Sequence, residues 1–356
     1  MPLADRRFFT REHIESQRFG ASPQLAEQAI HCLELVAELA ATGLSYQFKG
    51  GNSLLLVLDT PRRFSIDVDI ATDQSRERIE ACVTELVRAY GTFTRWQPRP
   101  HKTKPWLPIS SYYLFYPSAV GPESEGSIML DIQLRKSPYK TRMAPVACGS
   151  LYASSQTVEL PLAASIAGDK LLTMGPATLG IPLGKGKQAQ RLKHVYDVSS
   201  LMATDPDLGD IRASFHACIA HENEIQEKAI TARDVMFDTV RFCASVAGLA
   251  KCPADPSRIQ NGVLRENAEG LADFAAHLFE KGYDWRRLQL DMARVAWCVT
   301  AVCTEAVTRG RFTEVVGRGA PPASMPSADA RMAGLTQEAR YYWGHTLDVL
   351  RPLQSQ

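Results

Sequence analysis

Two aspartates, Asp67 and Asp69, lie one residue apart in the alternating segment FSIDVDIA at residues 64–71. Because residues i and i+2 of a β-strand point to the same face, both carboxylates and Ser65 are expected on one face. Two adjacent carboxylates repel each other unless a cation lies between them, and a hard divalent ion such as Mg²⁺ also binds nucleotide phosphates. A bare D-x-D more often marks two solvated acids, so the pattern needs support from its surroundings. The alternate residues of the strand are expected to point into a core: Ile66, Val68 and Ile70.

A glycine pair, Gly50 and Gly51, lies before this strand and is separated from it by a short apolar run. The stretch SYQFKGG at residues 45–51 predicts a short strand that runs into a turn, and the following apolar run predicts a short helix that ends before Pro61. Asn52 or Ser53 is the predicted N-cap of this helix. Free backbone N–H groups at a helix N-terminus can bind phosphate, so the turn and the acid pair together favour a nucleotide site.

A third acid, Asp131, stands alone in the apolar strand pattern SIMLDIQL at residues 127–134. It could complete a metal site from a neighbouring strand, or it could be an ordinary strand residue. The pattern supports both interpretations equally.

The periodicity of the chain predicts an α+β fold. Alternating segments in the first part indicate a mixed sheet with flanking helices, and the later part is almost wholly helical. With 356 residues, we expect two domains, residues 1–160 and residues 161–356. Five later helices are predicted, and they are expected to bury Phe274, Leu278, Trp297 and Cys298. Their predicted ranges are 208–226, 231–250, 259–281, 285–308 and 336–350.

The composition excludes several classes of protein. The formal net charge is +1, so any nucleic-acid surface must be local. The sequence contains no apolar run long enough to span a membrane, and its start is too charged for a signal peptide, so we expect a cytoplasmic protein. The cysteines are scattered without C-x-x-C spacing, which makes a zinc site or a disulfide framework unexpected.

Four separated motifs, in this order, resemble the signature of the AbiEii/AbiGii nucleotidyltransferase toxins. This family belongs to the DNA polymerase β-like superfamily and includes the MenT toxins. The resemblance covers roughly residues 40–205. The sequence departs from this signature at Asn52, Ile66 and Lys193-His194, but none of these departures removes a metal-binding carboxylate. The motifs are KGGNSLLL at 49–56, RRFSIDVDI at 62–70, SIAGDKLLT at 165–173 and RLKHVYDVSSLM at 191–202.

The resemblance implies a role for each matching residue. Asp67 and Asp69 would bind Mg²⁺ or Mn²⁺, and an NTP would be the substrate. Lys170 and Asp197 would complete the catalytic set from the helical domain, with Lys170 either contacting the triphosphate or assisting proton transfer. The residues expected beside the nucleotide are Lys49, Gly50, Gly51, Ser53, Arg63 and Ser65.

The resemblance also implies that the protein is the toxin of a toxin–antitoxin system with a role in phage defence. Such a toxin would transfer NMP to an RNA acceptor such as a tRNA 3′ end. An antitoxin protein would be its partner. Two basic stretches, residues 95–142 and residues 184–194, could bind RNA, and the first of these fits a solvated face equally well. In the second stretch, the residues expected to contact RNA are Lys185, Lys187, Arg191 and Lys193.

Other functions are compatible with the same residues. The chain could be a non-catalytic nucleic-acid-binding or partner-binding protein on a nucleotidyltransferase fold, or a transferase that modifies a protein acceptor. A non-catalytic protein would bind RNA in a salt-sensitive way without turnover.

Overall fold

The structure is a computed structural model that describes residues 2–58, 60, 62–99, 108–121, 123–317, 332 and 334–353. The chain divides into two compact units. The first comprises Met1–Leu162 and the short segment His277–Lys281, and the second comprises Ala163–Ala276 and Gly282–Gln356.

A mixed sheet forms the centre of the first unit. In the described part of the chain it has seven strands in the order β3-β4-β5-β2-β1-β7-β6. Strand β2 is parallel to β5 and β1 is parallel to β7, while the other neighbours are antiparallel. The strands are β1 (Gln47–Lys49), β2 (Asp67–Ala71), β3 (Arg95–Pro98), β4 (Ile109–Pro117), β5 (Glu125–Gln133), β6 (Thr141–Cys148) and β7 (Tyr152–Pro161).

One face of this sheet is apolar and packs into the core of the unit. Val68, Ile70 and Leu130 are fully buried on it, together with residues that α2 and α4 contribute at helical spacing. Asp67 and Asp69 alternate with these residues and are half-buried, which confirms the predicted alternation. The helices of the unit are α1 (Arg11–Ser16), α2 (Pro23–Ala41), α3 (Gly50–Val57) and α4 (Arg76–Tyr90).

Strand β2 starts three residues later than the alternation of 64–71 predicts. Arg63 instead pairs with Leu278 in an isolated antiparallel bridge, and the backbone N–H of Phe279 donates to the carbonyl of Arg62 at 3.0 Å. The segment before Asp67 is thus held by His277–Lys281 rather than by the sheet. The prediction that Ile66 belongs to the core is wrong, because this residue lies outside the strand and is only half-buried.

The second unit is helical, as predicted. Phe274, Trp297 and Cys298 are fully buried within it, while Leu278 is buried in the first unit, so their predicted burial is confirmed. Three predicted helices end early, at Ala244, Ala275 and Cys303. The helices are α5 (Ala163–Leu171), α6 (Gln188–Met202), α7 (Leu208–Gln226), α8 (Ala232–Ala244), α9 (Gly262–Ala275), α10 (Trp285–Cys303), α11 (Arg309–Gly317) and α12 (Gln337–Leu353).

None of the helices in the described ranges combines the length and the apolar character that crossing a bilayer would require.

Candidate active site

The acids of β2 lie in a row of polar residues that runs across the sheet. Asp69 pairs with Lys49 of β1 on one side and with Asp131 of β5 on the other. Directly paired residues of neighbouring strands point to the same face, so all three side chains share the face opposite the core. The next strand, β4, places Ser111 opposite Asp131. The register therefore brings the predicted third acid beside the D-x-D pair.

Asp131 is nevertheless held by a different partner. The hydroxyl of Ser111 donates to Oδ1 of Asp131 at 2.5 Å. Among the residues that the structure describes, no group of three His, Cys, Asp or Glu side chains is arranged to hold one metal ion. A preformed three-carboxylate site is thus absent from this part of the chain, and Asp67 and Asp69 remain the acids that could hold a divalent ion.

The glycine pair lets helix α3 approach these acids closely. Gly50 has a φ of 73°, and a Cβ atom added there would fall on the carboxylate of Asp69. A Cβ atom at Gly51 would lie 2.8 Å from both Nη2 of Arg63 and Oγ of Ser65. Both positions require glycine because the helix N-terminus is packed directly onto the acidic strand and the segment before it.

Helix α3 begins at Gly50, so the predicted cap at Asn52 or Ser53 is wrong. Its N-cap is Lys49, whose side chain makes no capping hydrogen bond. Ser53 is fully buried and donates to the carbonyl of Gly50 at 2.8 Å, so its hydroxyl stabilises the turn and is not presented to a nucleotide. The side chain of the N-cap residue therefore leaves the first backbone N–H groups of α3 uncapped, and such groups suit an anion.

Asn52 connects α3 to β2, the strand that carries Asp67 and Asp69, through a hydrogen bond to the backbone. It is fully buried, and its Nδ2 donates to the backbone carbonyl of Asp67 at 2.8 Å. The neighbouring Cys32 thiol has a pKa well above its ordinary value, chiefly because of burial; Asp67 and Asp69 raise it further, while a hydrogen bond with Asn52 lowers it. Cys32 is thus a neutral thiol beneath the site. Sequence patterns missed this link because Cys32 is distant along the chain.

Lys49 supplies a positive charge at the same face. Its Nζ donates to Oε1 of Gln133 at 3.0 Å and to Oγ of Ser137 at 3.2 Å, and it lies 5.4 Å from the ring centroid of Tyr139. Arg63 is buried, and its guanidinium donates to the carbonyl of Phe64. The alternation of β5 could have identified Gln133, because it shares a face with Asp131.

The second unit brings together the other two predicted catalytic residues. Nζ of Lys170 on α5 lies 2.9 Å from Oδ2 of Asp197 on α6, and both side chains are buried. A buried ion pair of this geometry holds each charge in place, because either charge alone would be costly to keep out of water.

The predicted RNA-contacting residues differ in their exposure. Lys185 and Lys187 are exposed, and Lys193 is half-buried. Arg191 is fully buried; it pairs with Glu266 at 3.1 Å and donates to the carbonyl of Ile181. The prediction that Arg191 contacts RNA is therefore wrong. Its guanidinium supports the base of the basic loop instead.

The basic and aromatic stretch 95–142 is only partly available for binding. Lys136 pairs with Glu159 at 3.1 Å, and Trp96 packs edge-on against the buried Tyr112. Three residues of the predicted cluster lie outside the described residues: Lys102, Lys104 and Trp106.

A mixed sheet with two acids on one strand, preceded by a helix opened by glycines, is the arrangement expected of a nucleotidyltransferase. The profile of the nucleotidyl transferase AbiEii toxin family, of type IV toxin–antitoxin systems, matches residues 35–290. This match covers well over half of the chain and includes both the acids of β2 and the Lys170–Asp197 pair. The chain belongs to this family and is a nucleotidyltransferase, which confirms the resemblance and the α+β fold class. A search of curated proteins found no match.

Proposed function

We propose that the protein acts as a toxin by transferring NMP from an NTP to an RNA acceptor, with a tRNA 3′ end as the first candidate. One observation carries the proposal. Asp67 and Asp69 share the face of β2 that does not enter the core, and Gly50 packs the uncapped N-terminus of α3 against Asp69. Carboxylates beside free backbone N–H groups form a site for a divalent ion and the phosphates of a nucleotide.

The two acids fit a divalent ion such as Mg²⁺ or Mn²⁺. They are half-buried on one face, and their mutual repulsion favours a cation between them. Two protein carboxylates leave ligand positions for phosphate oxygens and water, which is the usual arrangement for Mg²⁺ at nucleotide sites. When bound, such an ion neutralises charge on the triphosphate.

The surrounding residues of the first unit would orient the triphosphate. The N–H groups of α3 and the ammonium group of Lys49 would offset its negative charge, and Ser65 and Arg63, which lie against Gly51, would border it. In the transfer, a hydroxyl oxygen of the acceptor forms a bond to the α-phosphorus. The bond from that phosphorus to the bridging oxygen breaks, and pyrophosphate leaves with the electron pair.

Lys170 and Asp197 of the helical unit are assigned to the same reaction. Their 2.9 Å ion pair and the extent of the family match support this assignment. Lys170 would contact the triphosphate or assist removal of the proton from the acceptor hydroxyl, and Asp197 would orient its ammonium group. The exposed lysines of the basic loop, Lys185 and Lys187, with Lys193, would bind RNA phosphates. An antitoxin protein in the cytoplasm would oppose the activity.

The test is incubation with each of the four α-labelled NTPs, Mg²⁺ or Mn²⁺, and total RNA. We expect one or a few discrete RNAs to become labelled. Asp67→Asn and Asp69→Asn should each abolish labelling, because an amide keeps the shape of the side chain but not its charge. Asp348→Asn is the control, since Asp348 is exposed on α12. Labelling that survives both changes would refute the proposal, and a labelled protein with no labelled RNA would identify a protein acceptor instead.

A further inference from the structure

A second row of side chains crosses the sheet beside the row of Asp69. Asp67 pairs with Met129 of β5, Met129 pairs with Tyr113 of β4, and Tyr113 pairs with Gln97 of β3. Directly paired residues share a face, so Met129 and Tyr113 point to the same side of the sheet as Asp67. Strands lie about 4.8 Å apart, which places Tyr113 about 10 Å from Asp67 across the sheet.

The large apolar and aromatic residues of β4 are divided between the two faces. Tyr112, Leu114 and Tyr116 are buried in the core, while Tyr113 and Phe115 are half-buried on the face that carries the acids. The rings of Tyr113 and Phe115 lie 6.5 Å apart. Together with Met129 they form a half-buried apolar strip that begins next to the acids and extends to β4, the neighbour of the edge strand β3.

Arginines lie over this surface at its outer edge. The exposed Arg99 approaches Sδ of Met129 at 3.1 Å, and its guanidinium lies 5.8 Å from the ring centroid of Tyr113. Arg95 stacks 3.4 Å above the ring of Phe115, but Glu125 compensates its charge at 2.6 Å. The positive charge beside the tyrosine therefore comes from Arg99.

We propose that Tyr113, Met129 and Arg99 form an acceptor platform that stacks the unpaired terminal nucleotides of an RNA. The proposal deepens the function proposed above, since the platform adjoins the acids of that site. Aromatic rings stack on bases of any identity, and arginine adds both stacking and attraction to phosphate. About 10 Å corresponds to roughly three stacked nucleotides at about 3.4 Å each, so a 3′-terminal hydroxyl can reach the acids while a preceding base lies on Tyr113.

A single-stranded nucleic acid fits this surface better than a protein segment does. The apolar side chains lie beside the exposed guanidinium of Arg99 and in the same row as Asp67, whose charge a divalent ion would neutralise. A rigid duplex is a poorer fit, because its bases are already stacked on one another and do not present their faces. The occupant is thus expected to be unpaired RNA.

The experiment measures the anisotropy of a short fluorescein-labelled single-stranded RNA with the full chain in the absence of NTP. We expect Tyr113→Leu to raise the Kd about tenfold by removing one stacking partner. Arg99→Gln should raise the Kd and also reduce the slope of log Kd against log salt by about one phosphate contact. The matched controls are Tyr90→Leu and Arg88→Gln on α4, where Tyr90 is half-buried and Arg88 is exposed. Thermal melting checks that each variant is folded.

Steady-state labelling provides the second measurement. Both platform variants should raise the KM for RNA about tenfold while the KM for NTP stays unchanged, because the platform contacts only the acceptor. Values of Kd and KM equal to those of the controls would overturn the proposal, as would equal binding to duplex RNA or selective labelling of a protein. Because RNA binding is measured without turnover, a native chain that binds RNA through Tyr113 but labels no RNA with any of the four NTPs would refute the transferase function and leave the platform standing.

Discussion

Gly50 determines how closely a helix can approach the acid pair. Its φ of 73° lies in the left-handed region, and the position of its missing Cβ coincides with the Asp69 carboxylate. Gly91, the C-cap residue of α4, has a similar φ of 70° but nothing within 4 Å of its own Cβ position. An alanine at either position would strain the backbone, but only an alanine at Gly50 would also displace the Asp69 carboxylate. Comparing the two substitutions therefore distinguishes the two effects.

Gly50→Ala should abolish labelling of RNA and lower the free energy of unfolding by about 2–3 kcal/mol, since it combines strain with overpacking. Gly91→Ala should cost about 1 kcal/mol from strain alone and leave the activity intact. Chemical denaturation and the labelling assay measure both effects. Equal activity in the two variants would mean that the close approach of Gly50 to Asp69 is not required for the reaction.

The acids were predictable from the sequence because the two-residue period of a strand is a local property. The contacts that the neighbouring residues of α3 make were not predictable in this way. The roles of Asn52 and Ser53 depend on which residue starts α3, and the start moves to Gly50 when the helix packs onto β2. The sequence likewise predicts that Arg191 is a surface cation, because its ion pair with Glu266 involves a helix distant along the chain.

At the scale of elements, pairing between residues distant along the chain determines where strands begin and which strands are neighbours, and local sequence patterns do not specify either. Strand β2 begins at Asp67 because the preceding residues bond to the segment His277–Lys281, far along the chain. The register between β2 and β5 places Asp131 beside Asp69, and no short-range pattern specifies such a register. Strand and helix types were therefore predictable, while their ends and partners required the folded chain.

Helices α5 and α6 of the second unit are joined by the Lys170–Asp197 pair. Removing one partner leaves an uncompensated buried charge, so Lys170→Met or Asp197→Leu should each cost about 3–5 kcal/mol of unfolding free energy. The double variant should cost much less than the sum of the two, because it buries no charge. Denaturant unfolding of the three variants gives the coupling energy.

Activity distinguishes a structural pair from a functional one. If the pair serves the reaction, the double variant regains stability but still fails to label RNA. The conservative change Lys170→Arg keeps the charge and is expected to retain more stability than activity, since a guanidinium cannot give up a proton. Normal labelling by the stable double variant would restrict the pair to a role in folding.

At the scale of the whole molecule, one face of α2 ties distant parts of the first unit together through buried polar groups. Glu27 accepts from Ser118 at 2.6 Å, and Glu34 accepts from Tyr152 at 2.6 Å. His31 stacks on Tyr116 with ring centroids 3.7 Å apart, and burial lowers its pKa from 6.5 to about 4. Its protonation thus destabilises the fold as the pH falls from about 6.5 towards about 4.

Glu38 on the same helix affects stability in the opposite direction, because its ionisation destabilises the fold as the pH rises. The pKa of Glu38 is raised from 4.5 to about 9, chiefly by burial; the hydrogen bond from Thr92 acts to lower this pKa, and the neighbouring Glu34 acts to raise it. Because the folded pKa exceeds the unfolded one, the contribution of Glu38 to stability is full below about 4.5 and is lost as the pH rises through about 9. The loss amounts to at most about 1.4 kcal/mol per pH unit within that window.

Glu38→Gln should therefore flatten the alkaline side of the stability profile. A glutamine can still accept the hydrogen bond of Thr92 through its amide oxygen, and it carries no charge at any pH. We expect the melting temperature of the variant to approach or exceed that of the native chain as the pH rises from about 5 to about 9, because only the native chain must keep a carboxyl protonated. The exposed Glu85 on α4 supplies the control variant Glu85→Gln. Calorimetric melting at several pH values measures the difference, and parallel profiles for Glu38→Gln and the native chain would show that the carboxyl of Glu38 ionises as readily in the folded protein as in the unfolded chain.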